Sequence, residues 1–440
     1  VVALSEAEVR AVPFHSDGPS GDAAIKGLDG EPMIGPRGWA FVGLTLYLGT
    51  MAALGPLAID MYLPSFPRIA ADFGVEAAGI QRTLSAYFIG LALGQLVYGP
   101  LADRVGRKWP LYFGLGLFVL ASAGCAMARS VRSLEALRFV EALGGCAEMV
   151  IARAIVRDLF DPRRSAKVFA SLMLVMGLAP ILAPLMGGWI AVNLGWRAVF
   201  WVLSGAGLAA LASTALFFRE SLPHHRRQRH TIVGTLQVYA GLLRHREFMA
   251  YTLAASFSLA GLFAYVGGSP YVFLHVFGIP EQRFGLYFGV NAFGLISCSQ
   301  LNGRLVDHFE MRRILTAAMG FNALAGIVLL VDGWLGIGGQ WGVLVPLFFF
   351  VASLGLIFPN AGALAMAPHG RIAGNASAVL GSIQFGISAI GGFIVSAIQN
   401  GTTVPMAGTI AVCACVGLGI QVAFGRGAGT GLPPGKGLPR

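Results

Sequence analysis

Between Gly99 and Leu111 the chain reads Gly99-Pro100-Leu101-Ala102-Asp103-Arg104-Val105-Gly106-Arg107-Lys108-Trp109-Pro110-Leu111, a short basic turn between two apolar runs. Residues 83–102 before the basic turn and 109–128 after it carry no charged side chain apart from those of the turn itself. Roughly 20 residues at about 1.5 Å rise cover about 30 Å of bilayer hydrocarbon, so each run reads as a membrane-crossing helix. The turn is too short to fold alone, so its charges must act where the two helices leave the membrane.

Composition agrees. The 440 residues are 56% hydrophobic and 12% charged, against about 25% charged in a soluble domain. One globular core could not hide that much apolar surface. The net charge of +10 comes from basic residues in the gaps between apolar runs, with no continuous stripe for nucleic acid, and anionic lipid headgroups are the expected counter-charge. Cys125, Cys146, Cys298, Cys413 and Cys415 all lie in apolar runs without metal-ligand spacing to histidines, and read as small packing residues. No metal site and no cofactor are expected. A G-x-x-x-x-G-K-[ST] loop is also missing, which excludes ATP as the energy source.

Residues 1–37 are polar and mixed, without a secretory core, and are expected to form a disordered cytoplasmic tail. Twelve apolar runs follow, near 38–60, 81–102, 109–128, 133–156, 167–192, 197–218, 248–273, 283–303, 312–331, 341–362, 372–398 and 404–424. The polar stretch 219–247, with Arg219, Arg226, Arg227, Arg229, Arg244, Arg246, His224, His225 and His230, separates six from six. The predicted organisation is therefore a six-helix half over 38–218, a cytoplasmic linker over 219–247, a second half over 248–424 and a cytoplasmic tail over 425–440. Of the 31 Lys and Arg, 23 belong to the even loops and the tails, 6 to the odd loops and two to span interiors. Basic residues stay on the cytoplasmic side, which predicts both termini inside. A repeat supports the halves. Shifted by 204 residues, Gly303-Arg304-Leu305-Val306-Asp307-His308 falls on Gly99-Pro100-Leu101-Ala102-Asp103-Arg104.

Ionisable residues inside spans cost about 2.5–3.5 kcal/mol each on insertion scales and are functional candidates by default. Arg138, Glu141, Glu148 and Arg153 fall within an arc of roughly 140° on the fourth span at about 100° per residue. That face must look onto protein or a wet cavity. The alternative is a satisfied ion-pair stripe that only holds the bundle together. The first span runs outward to Asp60 and the fourth inward from Arg138, so the two lie at comparable depth and can pair. Moving a guanidinium relative to a desolvated carboxylate switches its proton affinity, whereas Asp60 exposed at a helix end would do nothing of the kind. In the fifth span, Pro180, Pro184, Gly187 and Gly188 combine helix kinks with a surface that lets a neighbouring helix approach closely. Away from the ends of its spans, the second half has no Asp, Glu, Lys or Arg. Its aromatics and amides, with Phe257, Tyr265, Asn291, Gln384 and Phe385 foremost and Tyr62 from the first half, suit an apolar, weakly polar ligand of variable shape.

The opening stretch resembles the signature G-x-L-A-D-R-x-G-R-K-x-x-L of the major facilitator superfamily. The fifth span resembles that superfamily's antiporter signature G-x-x-x-G-P-x-x-G-G, with alanine at both early glycine positions. Ile59-Asp60-Met61-Tyr62-Leu63-Pro64, Arg153-Ala154-Ile155-Val156-Arg157-Asp158 and the stretch from Ser256 to Pro270 resemble its bicyclomycin and chloramphenicol resistance subfamily of drug:proton antiporters. The resemblance covers about residues 40 to 425. It implies an all-α membrane protein with twelve transmembrane helices in two six-helix halves, the major facilitator fold, with substrate near the midplane. It further implies a monomeric, proton-driven multidrug exporter of a bacterial inner membrane, whose partners are small-molecule drugs, protons and lipids. Proton coupling would fall to Asp60, Arg138, Glu141 and Glu148, although Glu141 stands where the superfamily usually carries glutamine and receives no role from it. A conformational latch would comprise Gly99, Asp103, Arg104, Gly106, Arg107, Lys108, Arg157 and Asp158, and would close against residues 373–377 when the molecule opens outward. A sugar, amino-acid or other metabolite carrier on the same fold is the alternative, and it would call for more charged or polar groups in the second half. An intramembrane enzyme would need a His/Asp/Glu/Ser cluster at one depth, and His275 has no acidic neighbour in sequence.

Overall fold

The computed structural model describes residues 39–160, 162–223, 227 and 232–424. The tails, His224, His225, Arg226, Arg229 and His230, and the side chain of Arg157 lie outside the described residues. Twelve long helices carry the described fold. They are α1 (Trp39–Asp60), α3 (Ala77–Val105), α4 (Lys108–Ala126), α5 (Val131–Leu159), α6 (Pro162–Leu194) and α7 (Trp196–Phe217), then α9 (Arg246–Pro270), α10 (Glu281–Leu305), α11 (Met311–Leu335), α12 (Gly339–Met366), α13 (Ala373–Ala397) and α14 (Val404–Phe424). Two shorter helices interrupt them, α2 (Phe66–Phe73) after the first span and α8 (Ile232–Arg244) within the linker.

Local chemistry sets the ends. Ser130 caps α5 in a reciprocal box with Ser133, and Gly106 turns the chain from α3 into α4 at φ +102°, a conformation that side chains with a Cβ rarely adopt. Ten helices among the described residues are long and apolar enough to cross a membrane. α5 is not among them, because Arg138, Glu141 and Glu148 lower its hydropathy while facing inward, fully buried. The run 372–424 divides into α13 and α14 at a turn where Gly401 has φ +86°.

The halves meet along two helix pairs. On α3 and α13, Gln81 Nε2 donates to the Gly392 carbonyl at 3.3 Å near one end, and Gly374 lies against Asp103 at the other. On α6 and α10, Gly285 takes the Leu185 side chain and Gly188 lies against the Glu281 backbone. Gly187 packs directly on the Met61 carbonyl, with no room for a Cβ. The antiporter-like glycines thus sit where α6 touches both the end of α1 and the second half. Pro180 and Pro184 lie within a helix that continues through them.

Candidate functional site

The buried charges of α5 meet α1 and α3. Arg138 is 0% exposed. Its Nη1 donates to Glu141 Oε2 at 2.6 Å and its Nη2 to the Ala58 carbonyl at 2.9 Å. The guanidinium is sandwiched between the rings of Tyr62 and Tyr87, 4.3 and 4.2 Å from their centres, a desolvated cation–π arrangement. Glu141 also accepts from Ser122 Oγ at 2.7 Å. One turn of helix separates Arg138 from Glu141, so the two pair, and the Asp60–Arg138 pairing expected from their depth does not form. Arg138 reaches α1 only through the backbone of Ala58.

Asp60 is left without a hydrogen bond or ion pair among the described residues, although it is only 5% exposed. It ends α1, where the chain breaks into the short 3-10 turn Leu63–Ser65. In the second half, the Tyr265 hydroxyl is buried on α9. That hydroxyl accepts from Asn291 Nδ2 at 3.0 Å, and the Tyr265 ring stacks on Phe288. A second carboxylate, Glu148, is buried with neither oxygen hydrogen-bonded among the described residues. Arg153, expected on the same stripe, is exposed and its Nε donates to the Met149 carbonyl.

The six residues expected to line a substrate cavity are dispersed. Tyr62 packs inside the first half, hydrogen-bonded to Thr83, in ring contact with Phe66 and Phe200 and with its ring face on the Arg138 guanidinium. Tyr265 and Asn291 bond each other. Phe257 and Gln384 are half-buried. Phe385 joins Phe88 and Phe263 in a cluster of three rings, one from each of α13, α3 and α9, with Phe88 and Phe263 only 4.1 Å apart. This cluster fills the centre between the halves. Phe88 carried no sequence signal distinguishing it from ordinary core.

At the α3–α4 turn, Arg107 is 4% exposed. It donates to Asp103 at 2.5 Å and through Nε and Nη2 to both oxygens of Asp158, at 2.8 and 3.3 Å. Gly99 lies against Ala378 and Asp103 against Gly374, which brings the cluster onto α13. Lys108 extends over the Tyr112 ring. Arg104 is exposed and makes no ion pair among the described residues, so the structure does not bring it into the cluster. Sequence reasoning missed Glu220 and Ser221 at the start of the linker. Glu220 accepts from the backbone N–H groups of Arg107 and Lys108, and Ser221 donates to Asp158. A carboxylate just after an apolar run and before a basic stretch was the available signal.

Asp158 holds Arg107 by two charge-assisted bonds, each worth about 1.5–3 kcal/mol. Asp158→Asn is therefore expected to open this mouth about tenfold more often, with Asp103→Asn giving a smaller shift, and spin-label distances across α3 and α13 measure it. Burial alone would raise the Glu220 pKa. The N–H groups of Arg107, Leu222 and Lys108, together with the Arg227 guanidinium, outweigh it and hold Glu220 below the usual carboxylate value. A lowered folded-state value means that the linker's docking is full above the ordinary glutamate range and is lost as pH falls through the depressed value. Proteolysis of the linker should accelerate in that acid window in the native chain and should be fast and nearly pH-independent in Glu220→Gln.

The opposite mouth is bridged as well. Arg68 on α2 donates to Glu281 at the start of α10 at 2.8 Å. The latch cluster therefore coexists with a contact between the halves at the other face.

The chain is similar along most of its length to known proteins. The description Major Facilitator Superfamily matches residues 48–396. The bicyclomycin resistance protein homolog of Haemophilus influenzae is 35% identical, over 84% of this chain and 93% of its own. The chloramphenicol resistance protein of Pseudomonas aeruginosa is 30% identical, over 87% and 91%. Among solved structures, the xylose transporter XylE from E. coli, in a partially occluded inward-open conformation, superposes with a TM-score of 0.68 at 14% identity, covering 87% of this chain and 96% of that one. That likeness concerns the fold alone. With twelve long helices paired across two halves and a family match that spans both, the chain belongs to the major facilitator superfamily.

Proposed function

We propose that this multi-pass membrane protein is a proton-coupled multidrug exporter of a bacterial inner membrane, moving small, largely apolar antibiotics by alternating access. The observation that carries the coupling is Asp60, a buried carboxylate with no bonding partner among the described residues, at the end of α1 and next to Met61, whose carbonyl packs on Gly187 where α6 meets the second half. A group so placed exchanges a proton at little structural cost and feels any rearrangement between the halves. The resistance proteins named above support antibiotics as cargo, and the aromatic centre formed by Phe88, Phe263 and Phe385 supports an apolar one. In this reading the α3–α4 face and both termini are cytoplasmic, the halves divide at the 219–247 linker, and the molecule works as a monomer without a cofactor. A proton entering down about 100 mV and one pH unit releases roughly 3.7 kcal/mol, enough for a roughly 500-fold drug gradient.

Expression in a susceptible bacterium tests it. Tolerance to bicyclomycin or chloramphenicol is expected to rise, and drug accumulation to return to the control level when a protonophore collapses the gradient. Low accumulation that persists with the protonophore refutes proton coupling. Unchanged tolerance to both drugs, together with uptake of a sugar or amino acid, would establish the metabolite carrier instead.

A further inference from the structure

On the face opposite the α3–α4 turn, the break between α1 and α3 and the end of α9 enclose a vestibule between the halves. Its volume is about 570 Å³, within the roughly 300–1,000 Å³ typical of small-molecule sites. Phe66, Ala70 and Glu76 line it from the first half, and Tyr271, His275 and Asn400 from the second. Neither the Asp60 carboxylate nor the central phenylalanines reach it.

Its electrostatics are one-sided. Glu76 is the only acid in the lining, and the lining contains no Lys or Arg. Glu76 precedes α3 but makes no capping bond, and its side chain has no hydrogen bond or ion pair among the described residues. The basic residue of the adjoining α2, Arg68, is committed to Glu281. Beside this free carboxylate stand aromatic faces. Tyr271 and His275 hold their rings 5.0 Å apart on a π turn, Tyr271–Val276, that continues α9. Such turns recur at functional sites because they re-aim side chains. The Tyr271 hydroxyl lies close to the Gly401 turn.

We propose that this vestibule is a second ligand site, selective for lipophilic organic cations. A delocalised cation gains from the Glu76 carboxylate and from the face of Tyr271, and the aromatic and aliphatic walls take its apolar groups. A neutral molecule gains nothing from Glu76, and an anion is repelled. Equilibrium binding here does not depend on the export proposed above.

The test is calorimetric titration of tetraphenylphosphonium into the purified full-length protein in uncharged detergent. Saturable binding that weakens with salt is expected. Glu76→Gln and Tyr271→Leu should each weaken it about three- to fivefold, while Glu76→Asp keeps most of the affinity. Melting temperatures within the wild-type range show that the variants are folded, and if one does not fold the other carries the comparison. Absence of saturable binding in the wild type, or wild-type affinity in a folded Glu76→Gln or Tyr271→Leu variant, overturns the site.

Discussion

Asp60→Asn is expected to abolish proton-driven efflux, by at least about 100-fold, while leaving the protein folded and inserted. The physical basis is the separation of charge from structure at this position. Asp60 is buried and bonds to nothing among the described residues, so a neutral amide of the same shape removes no contact. An unpaired buried charge is itself costly, and Asn holds or raises the melting temperature. What it loses is the exchangeable proton. Drug transport into everted vesicles under an imposed pH gradient measures the first effect and a thermal melt the second. A wild-type rate would overturn the assignment and move the proton to Glu148, the other buried carboxylate without a partner.

Arg138→Ala is expected to fail twice over. It strands Glu141 as an uncompensated buried charge, at a cost of about 3–5 kcal/mol, and it leaves Tyr62 and Tyr87 facing an empty space where the guanidinium lay. Stability and transport fall together. Arg138→Lys keeps the charge but not the planar stack or the second bond to Ala58, so partial transport is expected. The double variant Arg138→Met with Glu141→Leu separates the two roles, because replacing both members of a buried pair by apolar groups is often neutral for stability. We expect it to recover the melting temperature and not the transport. Recovery of both would show that the pair only holds α5 in place.

The linker and the charge stripe are shaped by contacts between residues remote in sequence. Helix α8 lies inside a stretch that composition marks as a polar interruption, and it is held there by contacts remote in sequence, such as the Tyr239 hydroxyl on the Leu96 carbonyl of α3. The inward face of α5 was legible, because 3.6-residue periodicity places Arg138, Glu141 and Glu148 on one side. Which of them pair was not. Depth in the membrane allowed Asp60 and Arg138 to meet, but the i+3 neighbour Glu141 was nearer and left Asp60 alone. The expected substrate residues fared similarly. Tyr62 has the composition of a cavity residue and the surroundings of a core one, with its ring face on Arg138.

By itself the sequence determined the helices, their division into six and six, and the loop that names the superfamily, because hydropathy, turn chemistry and charge bias act along the chain within a span or a loop. Only the tertiary structure decided which carboxylate is paired and which is free, that Glu220 docks the linker onto the α3–α4 turn, and that Arg68 and Glu281 join the halves across 213 residues. Those outcomes depend on side-chain distances of a few ångströms between helices remote in sequence. In a bundle where most faces are apolar, no local pattern specifies them.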